Sequence, residues 1–205
     1  RQPKNLAGEY HYRVWLPAGY HENASREYPC IFIASPSGNA GMGSMFQWIR
    51  DNEYIAIMLV ESKNGPWGPC QGNFIAAHDD AMQRFRISKT EKLATGFSGG
   101  ARASAGFVGL RPGFRALLLQ GAGDSGRGVW KTPKSAKEPF RVAILMGTTD
   151  RNREEIQGLQ SRVFGKDAFR SFLFEGGHTW APGDLFYEAA NWAIGKAPAA
   201  PAAGK

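Results

Sequence analysis

The chain has 205 residues, 42% hydrophobic and 21% charged, which suits one soluble domain with its own core and is short for two. No apolar run approaches the roughly 20 residues that span a bilayer. The net charge of +7 is scattered, with no block of five Lys or Arg, so it reads as a solvated cationic surface and argues against a specific nucleic-acid site.

From the amino end, "HYRVWLP" (11–17) alternates apolar Tyr12, Val14 and Leu16 with other residues and reads as an amphipathic strand. "PCIFIAS" (29–35) is a continuous apolar run and reads as a buried strand. A glycine-rich loop (36–43), a helix over 44–52 and a second buried strand over 54–62 follow. "KNGPWGPCQG" (63–72) reads as a long turn-rich loop. A helix over 73–85 places Phe74, Ala77, Ala81 and Phe85 on one face, with Asn73 as its expected N-cap. "EKLATGF" (91–97) is a strand that leads into Ser98, and 99–110 is a helix of small residues. Strands over 114–122 and 140–147 come next, then a helix over 153–164 with Ile156, Leu159 and Val163 on one stripe. A last strand (169–176) precedes a final helix (184–195) that Asp184 is expected to cap, with Leu185, Ala189 and Trp192 on one face. The end, "KAPAAPAAGK", is Pro/Ala-rich and is expected to be disordered.

Repeated strand–helix alternation implies a mostly parallel α/β sheet with helices on both faces, and sites at the carboxyl ends of its strands. Cys30 begins its strand and Cys70 follows the carboxyl end of the next. A strand length of roughly 17–20 Å separates those ends, so two free thiols are expected. The first residues, "RQPKNLAGEY", lack a Met, which leaves a secreted or periplasmic location open and assigns none.

Two serines are flanked by glycines. Gly96-Phe97-Ser98-Gly99-Gly100 lies where an apolar strand ends and a helix begins, the required context of a G-x-S-x-G nucleophile elbow. Gly99, first in that helix, can aim its N–H at an oxyanion. Gly123-Asp124-Ser125-Gly126 resembles the trypsin-type signature, but that family is all-β and this chain is α/β, so Ser125 reads as a loop serine. Of four histidines, His178 in "FLFEGGHTWAP" follows the last strand, where a base must stand. Asp150 in "AILMGTTDRN" follows the preceding core strand and is the expected acid, with Asp124 as its rival. Asp124 opens a long loop with Arg127 and Lys131 nearby to pair with it. The order Ser98, Asp150, His178 is that of a strand–turn–helix serine hydrolase.

With "GFSGGARAS", "GTTDRN" and "GGHTWAP" in place, the chain resembles the α/β-hydrolase superfamily from residue 10 to about 195. Within it, these motifs are similar to those of small esterases related to polyhydroxybutyrate depolymerases, feruloyl esterases and phospholipase/carboxylesterases. The resemblance implies a three-layer α/β-hydrolase fold without a cap domain, as one domain over 1–195 with a tail over 196–205. It also implies a serine esterase that acts through an acyl-enzyme, with Ser98, Asp150 and His178 as its triad. A small-molecule or polymer-borne ester is the implied partner, and neither metal nor cofactor is called for. Such relatives carry His-Gly after the "CIFIA" strand; here stand Ser35-Pro36-Ser37-Gly38. Pro36 has no N–H, so the second oxyanion donor beside Gly99 is expected from Ser37, or else Gly38. Trp67, Trp130 and Trp180 lie in or beside loops at the site edge, where they would bind an aromatic or sugar-bearing ester or simply pack the loops. Two other classes remain open: a serine peptidase of the prolyl-oligopeptidase type, and a non-catalytic binding protein on the same fold. The altered Ser-Pro-Ser loop is the main support of the last.

Overall fold

A computed structural model describes residues 9–125, 130–131, 139–165 and 167–196. Seven strands form one sheet: β1 (Tyr12–Trp15), β2 (Tyr28–Ala34), β3 (Ile55–Leu59), β4 (Ile87–Phe97), β5 (Phe114–Gln120), β7 (Arg141–Gly147) and β9 (Phe169–Phe174). Their order is β1-β3-β2-β4-β5-β7-β9. Only β1 is antiparallel to its neighbour; the other pairs are parallel. Short strands β6 (Trp130–Lys131) and β8 (Val163–Phe164) pair with each other outside that sheet.

The central strands β2 and β3 are apolar runs because both faces are covered. Ile31 and Ile33 of β2 pack with α1 (Phe46–Asp51) and α5 (Gly183–Ala193) on one face. Cys30, Phe32 and Ala34 pack with α2 (Trp67–Arg84) and with Ala103 and Phe107 of α3 (Gly99–Phe107) on the other. Successive side chains of a strand point to opposite faces, so one run of sequence feeds two cores. The α5 seam runs through Phe186, Ala189, Ala190 and Ala193, with Leu185 and Trp192 at its margins. From β2 the chain moves outward to β3, and from β4 it moves the other way to β5. The carboxyl ends of β2 and β4 therefore flank the topological switch point, where such sheets open a crevice.

Local structure departs from sequence expectation in four places. The segment 63–72 is not all loop: α2 begins at Trp67, with Pro66 as N-cap. Pro69 sits in the first helical turn, where backbone N–H groups have no intrahelical partner to lose. Asn73 is therefore buried in mid-helix and does not cap. Its carbonyl oxygen accepts the Ser62 N–H (3.0 Å) and hydroxyl (2.9 Å), and its amide donates to the His11 carbonyl (2.8 Å) and to Glu61 (2.8 Å). The 153–164 helix shrinks to α4 (Glu155–Gln160), and Val163 enters β8 instead. Gly158 weakens that helix, while a β-branched and an aromatic residue favour the strand. Pro182 takes the N-cap of α5, leaving Asp184 in its first turn.

Cys30 and Cys70 are both buried free thiols. The Cys70 thiol donates to the Lys63 carbonyl (2.9 Å), and burial pushes the Cys30 thiol far above its ordinary pKa. Among the described residues, no helix is long and apolar enough to cross a membrane. The Pro/Ala-rich segment from 197 onward lies outside the described residues.

Candidate active site

Ser98 stands at the end of β4 as the N-cap of α3, with φ +53° and ψ −117°. For a non-glycine residue this left-handed backbone is strained, on the order of 1–3 kcal/mol, and persists only where its surroundings fix it. The Ser98 N–H donates to the Gln120 carbonyl (2.8 Å). Gly96 and Gly100 allow the turn: a Cβ on Gly96 would lie 2.5 Å from Gly100 backbone atoms, and one on Gly100 would lie 2.4 Å from the Ala34 carbonyl oxygen. The sharp turn thus needs bare backbone on both sides of the serine and against β2.

Asp150 follows β7, and His178 follows β9. His178 Nε2 is 2.9 Å from Ser98 Oγ, and its Nδ1 is 2.9 and 3.0 Å from the two Asp150 carboxylate oxygens. The Asp150 side chain is fully buried and that of His178 is 20% exposed, so the carboxylate is shielded while the imidazole is partly open. With Nδ1–H donated to Asp150, Nε2 presents its lone pair to the Ser98 hydroxyl. Asp124, the rival acid, faces elsewhere: Arg162 pairs with its carboxylate and Trp130 Nε1 donates to it (3.2 Å). Arg127 and the Lys131 side chain, the expected partners of Asp124, lie outside the described residues. Ser125 is exposed on the loop after β5, with φ +60°, and among the described residues no histidine is paired with it.

Several positioning groups escape a reading of sequence alone. Asn152 donates its backbone N–H to Asp150 Oδ1 (2.8 Å) and its amide to the Gly121 carbonyl (2.8 Å). Gln120 is fully buried; its side-chain carbonyl accepts the Ala181 N–H (3.2 Å), so one residue ties the Ser98 backbone to the loop that carries His178. The signal for Gln120 was a polar residue ending the apolar run "ALLLQ". The Phe97 ring lies 4.7 Å from His178 and 5.2 Å from Trp180.

The loop after β2 meets the start of α3: a Cβ on Gly100 would lie 2.8 Å from Ser35 N. Gly38 donates its N–H to the Ser35 carbonyl (3.1 Å), whereas no acceptor for the Ser37 N–H is present among the described residues. As the first residue of α3, Gly99 also has no intrahelical acceptor for its N–H. Beside Gly99 opens a cavity of about 460 Å³ walled by Trp67, Trp130, Arg102, Ala103 and Gly106. Trp67 is 41% exposed and stacks on Phe107 (5.7 Å, 23°). Trp180 does not line this cavity; it backs Phe97 and joins the core packing. Among the described residues, no group of three or more His, Cys, Asp or Glu side chains could hold a metal ion.

A mostly parallel sheet with Ser98 on a strand–turn–helix elbow, and an acid and a histidine at later strand ends, defines the α/β-hydrolase fold. Solved structures of that fold match most of the chain. A ferulic acid esterase superposes with a TM-score of 0.69 at 14% identity, covering 93% of this chain and 94% of its own. Est1E from Butyrivibrio proteoclasticus, solved with ferulic acid bound, gives 0.67 at 10% identity, covering 91% and 96%. The Bacillus cereus carboxylesterase gives 0.59 at 12% identity, covering 92% and 95%. No family model matches the chain, and no curated protein does either.

Proposed function

We propose that the protein is a serine esterase, a hydrolase of carboxylic esters that works through an acyl-enzyme. One observation carries this reading: the hydrogen-bonded series from Asp150 through His178 to a strained, elbow-borne Ser98. His178 Nε2 takes the Ser98 proton as Oγ bonds to the acyl carbon. The carbonyl oxygen becomes an oxyanion, which the N–H groups of Gly99 and Ser37 stabilise. His178 then gives the proton to the departing alcohol. Water, deprotonated by the same imidazole, attacks the acyl-enzyme and releases the acid and free Ser98. Asp150 holds the imidazole in the tautomer that both steps need.

The cavity between Trp67 and Trp130 favours an ester with an aromatic group, since flat rings bury large area against indoles. Two of the structural relatives are named for ferulic acid or were solved with it, which supports that substrate class. Pro36 favours a second reading, a non-catalytic binding protein, because it removes one backbone donor from the loop after β2.

A fluorophosphonate probe separates the two readings. Labelling of the wild type that is lost in Ser98→Ala and kept in Ser125→Ala is the expected result; no labelling of the wild type overturns the esterase. On a panel of esters and peptide amides, aryl esters should turn over faster than alkyl esters, and amides slowest.

A further inference from the structure

We infer that the side-chain amide of Asn64 is a catalytic oxyanion donor, in place of the backbone N–H that Pro36 cannot supply. The inference rests on the esterase reading above. A loop whose job is to stabilise a tetrahedral oxyanion loses a donor wherever proline replaces an amide-bearing residue. Asn64 occupies the gap between the two parts of that loop system. Its backbone N–H donates to the Pro36 carbonyl (2.8 Å), which fixes Asn64 to the loop after β2. Its side chain lies directly on Gly99, the residue after the nucleophile: a Cβ on Gly99 would fall 1.6 Å from Asn64 Oδ1 and 2.8 Å from its Cγ. The amide thus reaches the Cα next to the N–H that faces the oxyanion.

Two further features favour a donor role. The side-chain amide of Asn64 has no hydrogen-bond partner among the described residues, although its backbone is anchored, so its N–H groups are available to a substrate. It also lines the cavity walled by Trp67 and Trp130. A half-turn about the terminal side-chain bond exchanges Oδ1 and Nδ2, and for asparagine that torsion is broad and roughly two-fold. The amide can therefore present its NH₂ to a developing negative charge at little cost. Gly99 is part of the same device: any side chain there would evict Asn64, while the Gly99 N–H would remain.

The test is a double-mutant cycle on one activated aryl ester, with folding checked by thermal melts. Asn64→Ala should lower kcat by about 10²–10³ with KM little changed, the scale for removing one side-chain oxyanion donor. Asn64→Asp should lower it at least as far, because a carboxylate repels the oxyanion. Gly99→Ala should cost about as much as Asn64→Ala, and the double variant should cost no more than either single, since both remove one interaction. Only the tip of a surface side chain opposes the new methyl, so the Gly99→Ala fold should be intact. Losses within threefold for both Asn64→Ala and Gly99→Ala would overturn the inference and leave the esterase standing, as would additive losses. A wild type that neither hydrolyses the ester nor is labelled by the fluorophosphonate would overturn the esterase and this inference together.

Discussion

Two carboxylate–imidazole pairs reach the same strand, β4, at Lys92 and at Ser98, six residues apart along the chain and about 20 Å apart at strand rise. At the carboxyl end, Asp150 holds Nδ1 of His178 and Nε2 meets the Ser98 hydroxyl. Toward the amino end, Asp79 holds Nδ1 of His78 (2.9 Å), and Nε2 accepts from the ammonium of Lys92 (2.9 Å). The imidazole geometry is nearly the same; the third member and the surroundings differ. Arg111 grips the Asp79 carboxylate with two N–H groups. His78 is stacked on Phe32 (5.5 Å) and flanked by Phe74 and Phe114, while Lys92 is 2% exposed. A protonated amine has no lone pair to attack with, and no substrate reaches it. Hydrogen-bonding a carboxylate to a histidine therefore does not make a site. A neutral nucleophile on the far nitrogen and an opening to solvent are needed as well.

That contrast is broken most directly by exchanging the targets. His178→Ala should reduce kcat on an activated ester by about 10⁴-fold or more, with little change in unfolding free energy. His78→Ala should do the reverse. It opens a cavity among three phenylalanines and leaves the Lys92 ammonium without its hydrogen-bond acceptor, while Asp79 keeps Arg111. A cost of about 3 kcal/mol or more is expected in urea unfolding, with kcat per folded molecule within about twofold of wild type. Both variants on one assay and one denaturation curve decide it; loss of activity in folded His78→Ala would show that the inner pair serves catalysis.

The acid is sharpened next. Asp150→Asn should lose roughly 10³–10⁴ in kcat, as expected when the imidazole is left in the wrong tautomer. Asp124→Asn should lose less than about tenfold, because Arg162 and Trp130, not a histidine, hold that carboxylate. A crippled Asp124→Asn beside a working Asp150→Asn would make Asp150 a turn residue.

How much of this was legible in the sequence depended on range. The core strands announced themselves because both faces are covered, which forces unbroken apolar runs such as "PCIFIA". The elbow was legible because Gly96 and Gly100 are dictated by backbone approach within the turn. The start of α2 was hidden: Pro66, Gly68 and Pro69 are loop residues by composition, yet proline is harmless in a first helical turn. The shortened α4 was hidden too, since the choice between helix and β8 was made by a partner strand more than 30 residues earlier in the chain. Gln120 and Asn152 bind partners brought near only by the fold, and Asn64 meets Gly99 in the same way. Trp180 carried a polar-edged aromatic at the right loop, but whether it faced the cavity or Phe97 was a matter of packing. His78 lies on a helix that precedes Ser98, and its pairing with Lys92 leaves no trace in spacing.

The smallest effect isolates the inner histidine by its titration. Burial pushes the His78 pKa down from 6.5 to about 4, with Lys92 and Arg111 acting in the same direction and Asp79 against it. Above pH 6.5 the imidazole is neutral in both the folded and the unfolded chain, and its full contribution to stability is present. As pH falls below 6.5, the unfolded chain takes up a proton that the folded one refuses, so stability declines until the folded group also titrates near pH 4. The slope approaches 1.4 kcal/mol per pH unit, or a ceiling of about 2 kcal/mol lost by pH 5. Asp79, held down to about 2 by its hydrogen bonds from Arg111, works in a lower window and stays ionised in the folded chain throughout. His11 has the opposite sign: Glu61 raises its pKa, so its contribution grows as pH falls. Unfolding free energies from pH 7.5 to 4.5, measured for the wild type and for His78→Ala, separate the two histidines by difference. The wild type should lose stability more steeply than the variant between pH 6.5 and 4.5, and the gap between their curves should narrow across that window. Parallel curves would mean that His78 takes up its proton as readily in the folded chain as in the unfolded one, and that the ring of phenylalanines does not exclude its charge.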